Sequence, residues 1–253
     1  ISKSPNIWHV NLKKLMNLFP QNVNFLSTER FIEGGKSSGS FKNFNLALHV
    51  NDSDEDVLAN RSILKNYYAL PSKPIWINQI HSSICINASL MKSNVNADAS
   101  FTEDSGVVCA ILTADCLPVF VSKKDGSMIG IAHAGWKGMI AGVIERLICS
   151  FNCNGDDLVV HLGPAISMNS FEVGEEIREL YLSKNENFDT SFSTKDNKHY
   201  LDLYKAARII LGGFNIVSIS GGDRCTFKET NHFFSYRRDG VNSGRMAHLI
   251  WMQ

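Results

Sequence analysis

Three residues stand where apolar runs end, and their types suit one chemistry. Ile75-Trp76-Ile77-Asn78-Gln79-Ile80 terminates on His81. The run from Val107 to Leu112 is followed by Thr113-Ala114-Asp115-Cys116-Leu117-Pro118, where a cysteine opens the next strand. Met128 to Ala132 leads into His133-Ala134-Gly135-Trp136-Lys137-Gly138, a strand end turning into a helix. Cys116 and His133 are 17 positions apart, room for one strand to go out and the next to return. Two histidines and a cysteine are a ligand set suited to zinc, and three protein ligands leave a position open for water. A metal there lowers the pKa of its water to roughly 7. The spacing alone leaves open a plainer arrangement, a buried cysteine packing as a small hydrophobe beside two satisfied histidines.

Further polar residues fall near these ends. Arg61 sits on the apolar stripe of a predicted helix, where it either meets an anionic ligand or ties helix to sheet through an ion pair. Arg237 and Arg238 follow a predicted strand. Alternation sends one inward and one outward, and Arg237, on the face of Ser235, is the candidate for the site. Asn45 has donor and acceptor groups to offer a ligand, or to make a turn. Asp115 can orient a ligand histidine or cap the turn. Gly135 allows close backbone approach, and Trp136 is either a pocket wall or core. Lys36 and Ser37 lie on the Gly/Ser loop Glu33–Ser40, which lacks the phosphate-loop spacing because position 30 is Arg. His161 reads as a satisfied interior histidine, whereas His9, His199 and His248 have no evident partners.

Strands are predicted near 23–28, 75–80, 107–112, 117–122, 128–134, 157–162, 216–219, 232–236 and 246–251. Helices are predicted from a cap at Asp52 or Ser53 to Tyr68, with Val57, Leu58, Arg61, Leu64 and Tyr68 on one stripe. Others are expected over Gly138–Phe151, Tyr200–Leu211 and, shorter, Val173–Leu182. Ser183 to Lys198 reads as a surface loop or lid. Many neighbouring strands lack a crossover helix, which favours an α+β class: mixed β-sheets packed together and flanked by helices, a layered α/β sandwich. No shift in composition divides the chain, so residues 1–253 are expected to form a single domain.

The 253 residues carry 25 Lys+Arg against 25 Asp+Glu. That balance argues against a nucleic-acid partner, which needs clustered cationic excess. No apolar run reaches membrane-spanning length, since Asp115 breaks the longest. Ile1-Ser2-Lys3-Ser4 begins no apolar signal segment, and the cytoplasm is the expected compartment. Six cysteines without regular spacing in such a chain read as reduced thiols. The oligomeric state is not legible in these features.

A wider pattern runs from the Gly/Ser loop to the C-terminus. It comprises Asn45-Leu46, His49-Val50-Asn51-Asp52, Asn60-Arg61, Gln79-Ile80-His81, and Ala97-Asp98-Ala99 with Thr102. Thr113 to Val119, His133 to Gly138, Gly163-Pro164-Ala165-Ile166 and Phe171-Glu172-Val173-Gly174 follow, then Cys225-Thr226, Phe234 to Gly240 and Gly244-Arg245. In these motifs the chain resembles the laccase-domain or multicopper polyphenol oxidase proteins, the YfiH-like family since reassigned as purine nucleoside phosphorylases. Asn51 stands where that family often has Gly, and Lys137 where Arg is common. The resemblance implies that His81, Cys116 and His133 bind one zinc ion beside the active site. It also implies phosphorolysis of adenosine, inosine, guanosine and methylthioadenosine, together with adenosine deamination, so the partners expected are purine nucleosides and phosphate. Arginine suits the phosphate because its planar fork meets it bidentately, which makes Arg61 and Arg237, with Asn45, the substrate-binding candidates.

Two other chemistries compete. A copper-dependent polyphenol oxidase would use the same His2Cys set with a weak axial methionine, for which Met128 and Met139 are near in sequence. No paired His-x-His motif for a multicopper cluster occurs among the eight histidines. A Cys116–His133 hydrolase, with His133 as general base, fits the peptidoglycan-precursor editing also attributed to the family. A non-enzymatic binding module is the third class, disfavoured by the convergence of His, Cys and Arg residues.

Overall fold

The computed structural model describes residues 18–91 and 93–253, so His9 lies outside the described residues. In chain order the elements begin with β1 (Val23–Ser27), α1 (Asp54–Tyr67), β2 (Ile75–Trp76), β3 (Cys85–Asn87) and β4 (Ala99–Thr102). Then come β5 (Val108–Thr113), β6 (Leu117–Lys123), β7 (Ile129–Ala134), α2 (Trp136–Ala141), α3 (Val143–Ser150) and β8 (Leu158–Leu162). The C-terminal third adds β9 (Glu172–Val173), α4 (Glu175–Lys184), β10 (Phe192–Lys195), β11 (Lys198–Leu201) and α5 (Leu203–Gly212). It closes with β12 (Ile219–Gly221), α6 (Tyr236–Asp239) and β13 (Met246–Met252).

Two mixed sheets form the centre. One has the order β1-β13-β5-β2 and the other β12-β8-β6-β7-β4-β3, while β10-β11-β9 makes a small antiparallel sheet. Strands β5, β7 and β13 are buried at every position. Cover on both faces explains why they read as nearly continuous apolar runs. Alternation divides each run between two cores. Cys109, Ile111, Ile250 and Met252 of the first sheet meet Phe120, Ile129, Ile131 and Val159 of the second. On the outer face of the second sheet, Val119, Val121, Ala132 and Val160 pack under Val143, Ile144 and Leu147 of α3 and Ala206, Ala207 and Ile210 of α5. On the outer face of the first, Val108, Ala110, Leu112 and Leu249 pack under Leu64 of α1 with Phe44 and Leu46. The layers run helix, sheet, sheet, helix, the α+β sandwich expected from the sequence.

Several elements depart from expectation, each for a local reason. The strand expected over 75–80 is regular only at Ile75–Trp76, after which Asn78 makes an isolated parallel bridge to Asn96. Beyond it the Gln79 amide replaces the ladder, donating to Leu112 O and accepting from Leu112 N, both at 2.8 Å. The helix expected from Gly138 is broken into α2 and α3 at Gly142, whose φ of +92° suits glycine. The strand expected at 232–236 is a turn leading into α6, and that near 216–219 lies at β12. On α1 the buried residues are Val57, Asn60 and Leu64, while Leu58 points to solvent. The stretch expected as a lid is structured: a 3-10 turn at Glu186–Ser191 buries Phe188 against Tyr181, and β10 pairs with β11. The Gly/Ser loop is pinned, since Ser37 is buried and donates to Asp52 at 2.6 Å.

Candidate functional site

The two central sheets bring their ends together at one place. In the second sheet Leu117 pairs with Ala134 and Pro118 with His133, so β6 begins where β7 ends. Strand β4 begins at the same end, with Ala99 opposite Ala132. In the first sheet β5 lies parallel to β2 and antiparallel to β13, so β2 and β5 run out, and β13 begins, at one end. The short link Ala114–Cys116 joins β5 to β6 and thus one sheet to the other. Topology therefore delivers His81 from beyond β2, Cys116 from the link and His133 from the last turn of β7.

The ligand atoms of His81, Cys116 and His133 all lie within 4.8 Å of one another. The imidazole rings stand edge to face, with centroids 4.8 Å apart. His81 is exposed, Cys116 half-buried and His133 buried, so the cluster opens to solvent on one side. A Cβ at Gly135 would stand 2.8 Å from Cys116 Sγ and 3.2 Å from His81 Cδ2. Only glycine leaves the thiol and ring their room. A thiolate and two imidazoles, cradled this closely, fit a zinc-type centre with an open coordination position.

Asp98, immediately before β4, arranges this cluster. One carboxylate oxygen lies 2.9 Å from His133 Nδ1 and accepts from His81 N at 3.0 Å. The other accepts from Ile80 N, Ser82 N and Ser82 Oγ at 3.2, 2.6 and 2.8 Å. These bonds hold the turn in which His81 adopts a φ of +58°, a conformation uncommon outside glycine. Burial works against the ionised Asp98 carboxyl, but its bonds to His133 and Ser82 outweigh that and lower its pKa to about 2. The sequence contained Asp98 only as part of a motif. No local spacing marks a carboxylate that reaches 35 positions to His133.

The protonation states follow from opposed effects. Burial alone would push the Cys116 thiol up, yet the facing charge of His133 and hydrogen bonds from both imidazoles bring it down to about 6. Burial likewise disfavours a charged His133, but Cys116 and Asp98 raise it to about 9. Each group thus favours the charged form of the other.

The remaining candidates are placed as follows. Asn45 has no exposed surface. Its amide donates to Ala47 O and Asp52 Oδ2 and accepts from Ala47 N and Arg245 N, which leaves nothing for a ribose. It is a framework residue in place of the substrate contact expected of it. Among the described residues Arg61 makes no ion pair. Its Nε donates to Leu46 O at 2.9 Å, and its guanidinium lies 4.3 Å from the Trp76 ring centroid. Arg237 stands on a helical turn, where strand alternation does not apply. Its exposed side chain turns to Glu172 O at 2.9 Å and the Phe171 ring, while its backbone N–H meets Asp115. Arg238, expected in solvent, is half-buried and bonds the carbonyls of Thr226, Phe227 and Phe233. Asp115 accepts from Thr226, Ser235 and Arg237 N, so it ties down the C-terminal segment, and Asp98 takes the histidine instead. Trp136 is half-buried against the apolar core. His161 is satisfied by Ser220 at 2.9 Å, and His248 by Thr113 and Ser27. Cys225 lines a cavity of about 310 Å³ with Ser167, Tyr204 and Arg224, to which the three clustered ligands do not contribute.

The sequence profile of the family described as multi-copper polyphenol oxidoreductase laccase matches residues 25–253. The Escherichia coli (strain K12) protein named purine nucleoside phosphorylase YfiH is 39% identical over 234 residues, covering 92% of this chain and 95% of that protein. A Haemophilus influenzae purine nucleoside phosphorylase is 37% identical, covering 92% of this chain and 96% of its own. The crystal structure of a Neisseria meningitidis protein of the DUF152 family superposes with a TM-score of 0.87 at 39% identity, over 93% of this chain and 96% of that one. YlmD from Geobacillus stearothermophilus superposes at a TM-score of 0.83 with 26% identity, over 92% of each chain.

Proposed function

The chain belongs to the multi-copper polyphenol oxidoreductase laccase family, and from that premise we propose that it is a zinc-dependent purine nucleoside phosphorylase. Its substrates in this reading are adenosine, inosine, guanosine and methylthioadenosine, cleaved by phosphate to the free base and ribose-1-phosphate or its methylthio analogue. Adenosine deamination is a second activity of the same site. One observation carries the reading: a His2Cys cluster within 4.8 Å, open on one side, in a chain whose near full-length relatives bear the phosphorylase name.

His81, Cys116 and His133 would hold the zinc, which when bound supplies a Lewis acid and a water of lowered pKa. Asp98 fixes the His133 ring through Nδ1 and holds the His81 turn, so the donors are oriented before any metal arrives. In phosphorolysis a phosphate oxygen bonds to C1′ as the C1′–N9 bond breaks, and the base leaves with a proton. The sugar passes through a cationic, oxocarbenium-like state. Copper fits the donor set less well. Met128 and Met139, the axial candidates, are packed in the apolar core under α3 and α5. Among the described residues no second cluster of metal-ligating groups forms a multicopper centre.

The hydrolase reading is favoured by one feature, the Cys116 thiol brought down to about 6 beside His133. A zinc-bound thiolate is a ligand; a free one is a nucleophile. Metal analysis followed by incubation with adenosine, with and without phosphate, separates the readings. Adenine and ribose-1-phosphate appearing only with phosphate is the expected result, and inosine reports deamination. Absence of stoichiometric zinc, with iodoacetamide labelling of Cys116 abolishing activity, overturns the zinc assignment. Zinc-replete protein yielding neither product overturns the phosphorylase reading.

A further inference from the structure

Two half-buried arginines at this site have no carboxylate partner. Among the described residues, the arginines in ion pairs are Arg178, Arg224 and Arg238. Arg61 and Arg245 converge from distant elements on one short segment. Arg61, on α1, donates through Nε to Leu46 O at 2.9 Å, and among the described residues its terminal nitrogens make no hydrogen bond. Arg245, just before β13, donates its backbone N–H to Asn45 Oδ1 at 2.9 Å, while Leu46 N donates to Arg245 O at 3.4 Å. Among the described residues only Nη1 of the Arg245 guanidinium is engaged, by the carbonyls of Ser243 and Gly244. Each fork is backed by an aromatic ring, Trp76 at 4.3 Å for Arg61 and Tyr236 at 5.6 Å for Arg245.

His49 extends the same segment. Burial and then the charges of Arg245, Arg61 and His133 lower its pKa, so all four groups share one locality. Met246 pairs with Thr113, so Arg245, one residue earlier, stands at the strand ends that meet at the Ala114–Cys116 link. Burial lowers the pKa of Arg61 to about 10 with no anion opposing it. A partly desolvated guanidinium without an acid is costly unless an anionic ligand completes it.

We propose that Arg61, Arg245 and His49 form the inorganic-phosphate cradle of this protein, beside the His81–Cys116–His133 cluster. The ligand is a tetrahedral oxyanion, held by the free edges of two planar forks and an imidazole. Arg237 has no part in it, since its guanidinium is turned to Glu172 O and Phe171. The choice of phosphate among such anions rests on the phosphorylase reading.

The test is direct binding of inorganic phosphate, by calorimetry and ³¹P line broadening, to the full chain as isolated and after chelation of its metal. Arg61→Gln and Arg245→Gln are each expected to weaken phosphate binding about 10- to 100-fold, the factor for losing a charge-assisted hydrogen bond. His49→Asn weakens it less, and Arg245→Lys lies between Gln and wild type. Arg146→Gln, far along α3 and exposed, binds as wild type. Unchanged affinity in both arginine-to-glutamine variants overturns the cradle. So does wild-type protein that fails to bind phosphate, or binding that vanishes with the metal yet ignores both arginines. Arginine-dependent phosphate binding without cleavage of adenosine keeps the cradle and overturns the phosphorylase reading; phosphorolysis with phosphate KM unaffected by either variant does the reverse.

Discussion

Asp98 is the residue on which the geometry of the cluster depends most. It bonds His133, the His81 backbone and Ser82 through two oxygens, so the carboxylate joins one ligand's ring to the other's turn. Asp98→Asn keeps the size but puts an amide donor where one of those donors now points. Metal affinity is expected to fall about 10- to 100-fold, the usual consequence of losing such a partner, as measured by competition with a chromophoric chelator. Affinity equal to wild type would show that His81 and His133 orient themselves without it. Asp115, which sequence position made the nearer candidate, is expected to act differently. Asp115→Asn should lower the melting temperature, because it releases Thr226, Ser235 and the Arg237 N–H together.

At the scale of elements, the junction of β7 and α2 is set by clearance. The backbone of Gly135 is extended, with φ −71° and ψ 166°, so alanine can adopt it without backbone strain. Its methyl group would nevertheless sit 2.8 Å from Cys116 Sγ. Gly135→Ala is therefore expected to displace the thiol and weaken metal binding at least tenfold, while thermal unfolding moves little. A large loss of stability with metal affinity intact would reverse that assignment. The helix covering β7 from the other side presents Leu147, fully buried with Val143 and Ile144. Leu147→Ala should cost about 2–5 kcal/mol by leaving a cavity, a loss readable as a lower denaturant midpoint.

The whole molecule carries an acid sensitivity separate from the site. Burial lowers the pKa of His161 from 6.5 to about 4, with Asp223 opposing only in part, and burial also lowers that of His248, to about 3. Both imidazoles lie in the packed sheets: His161 is in β8 against Phe25 and Phe120, and His248 is in β13. Each takes up its proton more readily when unfolded. Their contribution to stability is thus complete above pH about 6.5 and is lost as pH falls through that value toward 4. For His161 the loss amounts to about 3 kcal/mol. Urea titrations at pH 7 and pH 4.5 should show it, and His161→Gln should reduce the difference. An equal difference in wild type and variant would place the sensitivity elsewhere.

Sequence alone determined the apolar runs, and with them the strands buried on both faces. A run such as Val108 to Leu112 has no other way to cover its two sides than a layer on each. It also determined which residue types stood at the strand ends, because a polar residue closing an apolar run is a local feature. What it could not supply was the partner of each polar group. Asn45 and Asn60 look alike in sequence to substrate-reading amides, yet both are buried in a framework with Ser37 and Asp52. The choice of Asp98 over Asp115, and of Arg245 over Arg237, depended on strands 35 to 200 positions apart meeting at one end of two sheets. Periodicity records what an element buries; only the packing of one sheet on another decides which charges face each other across the seam.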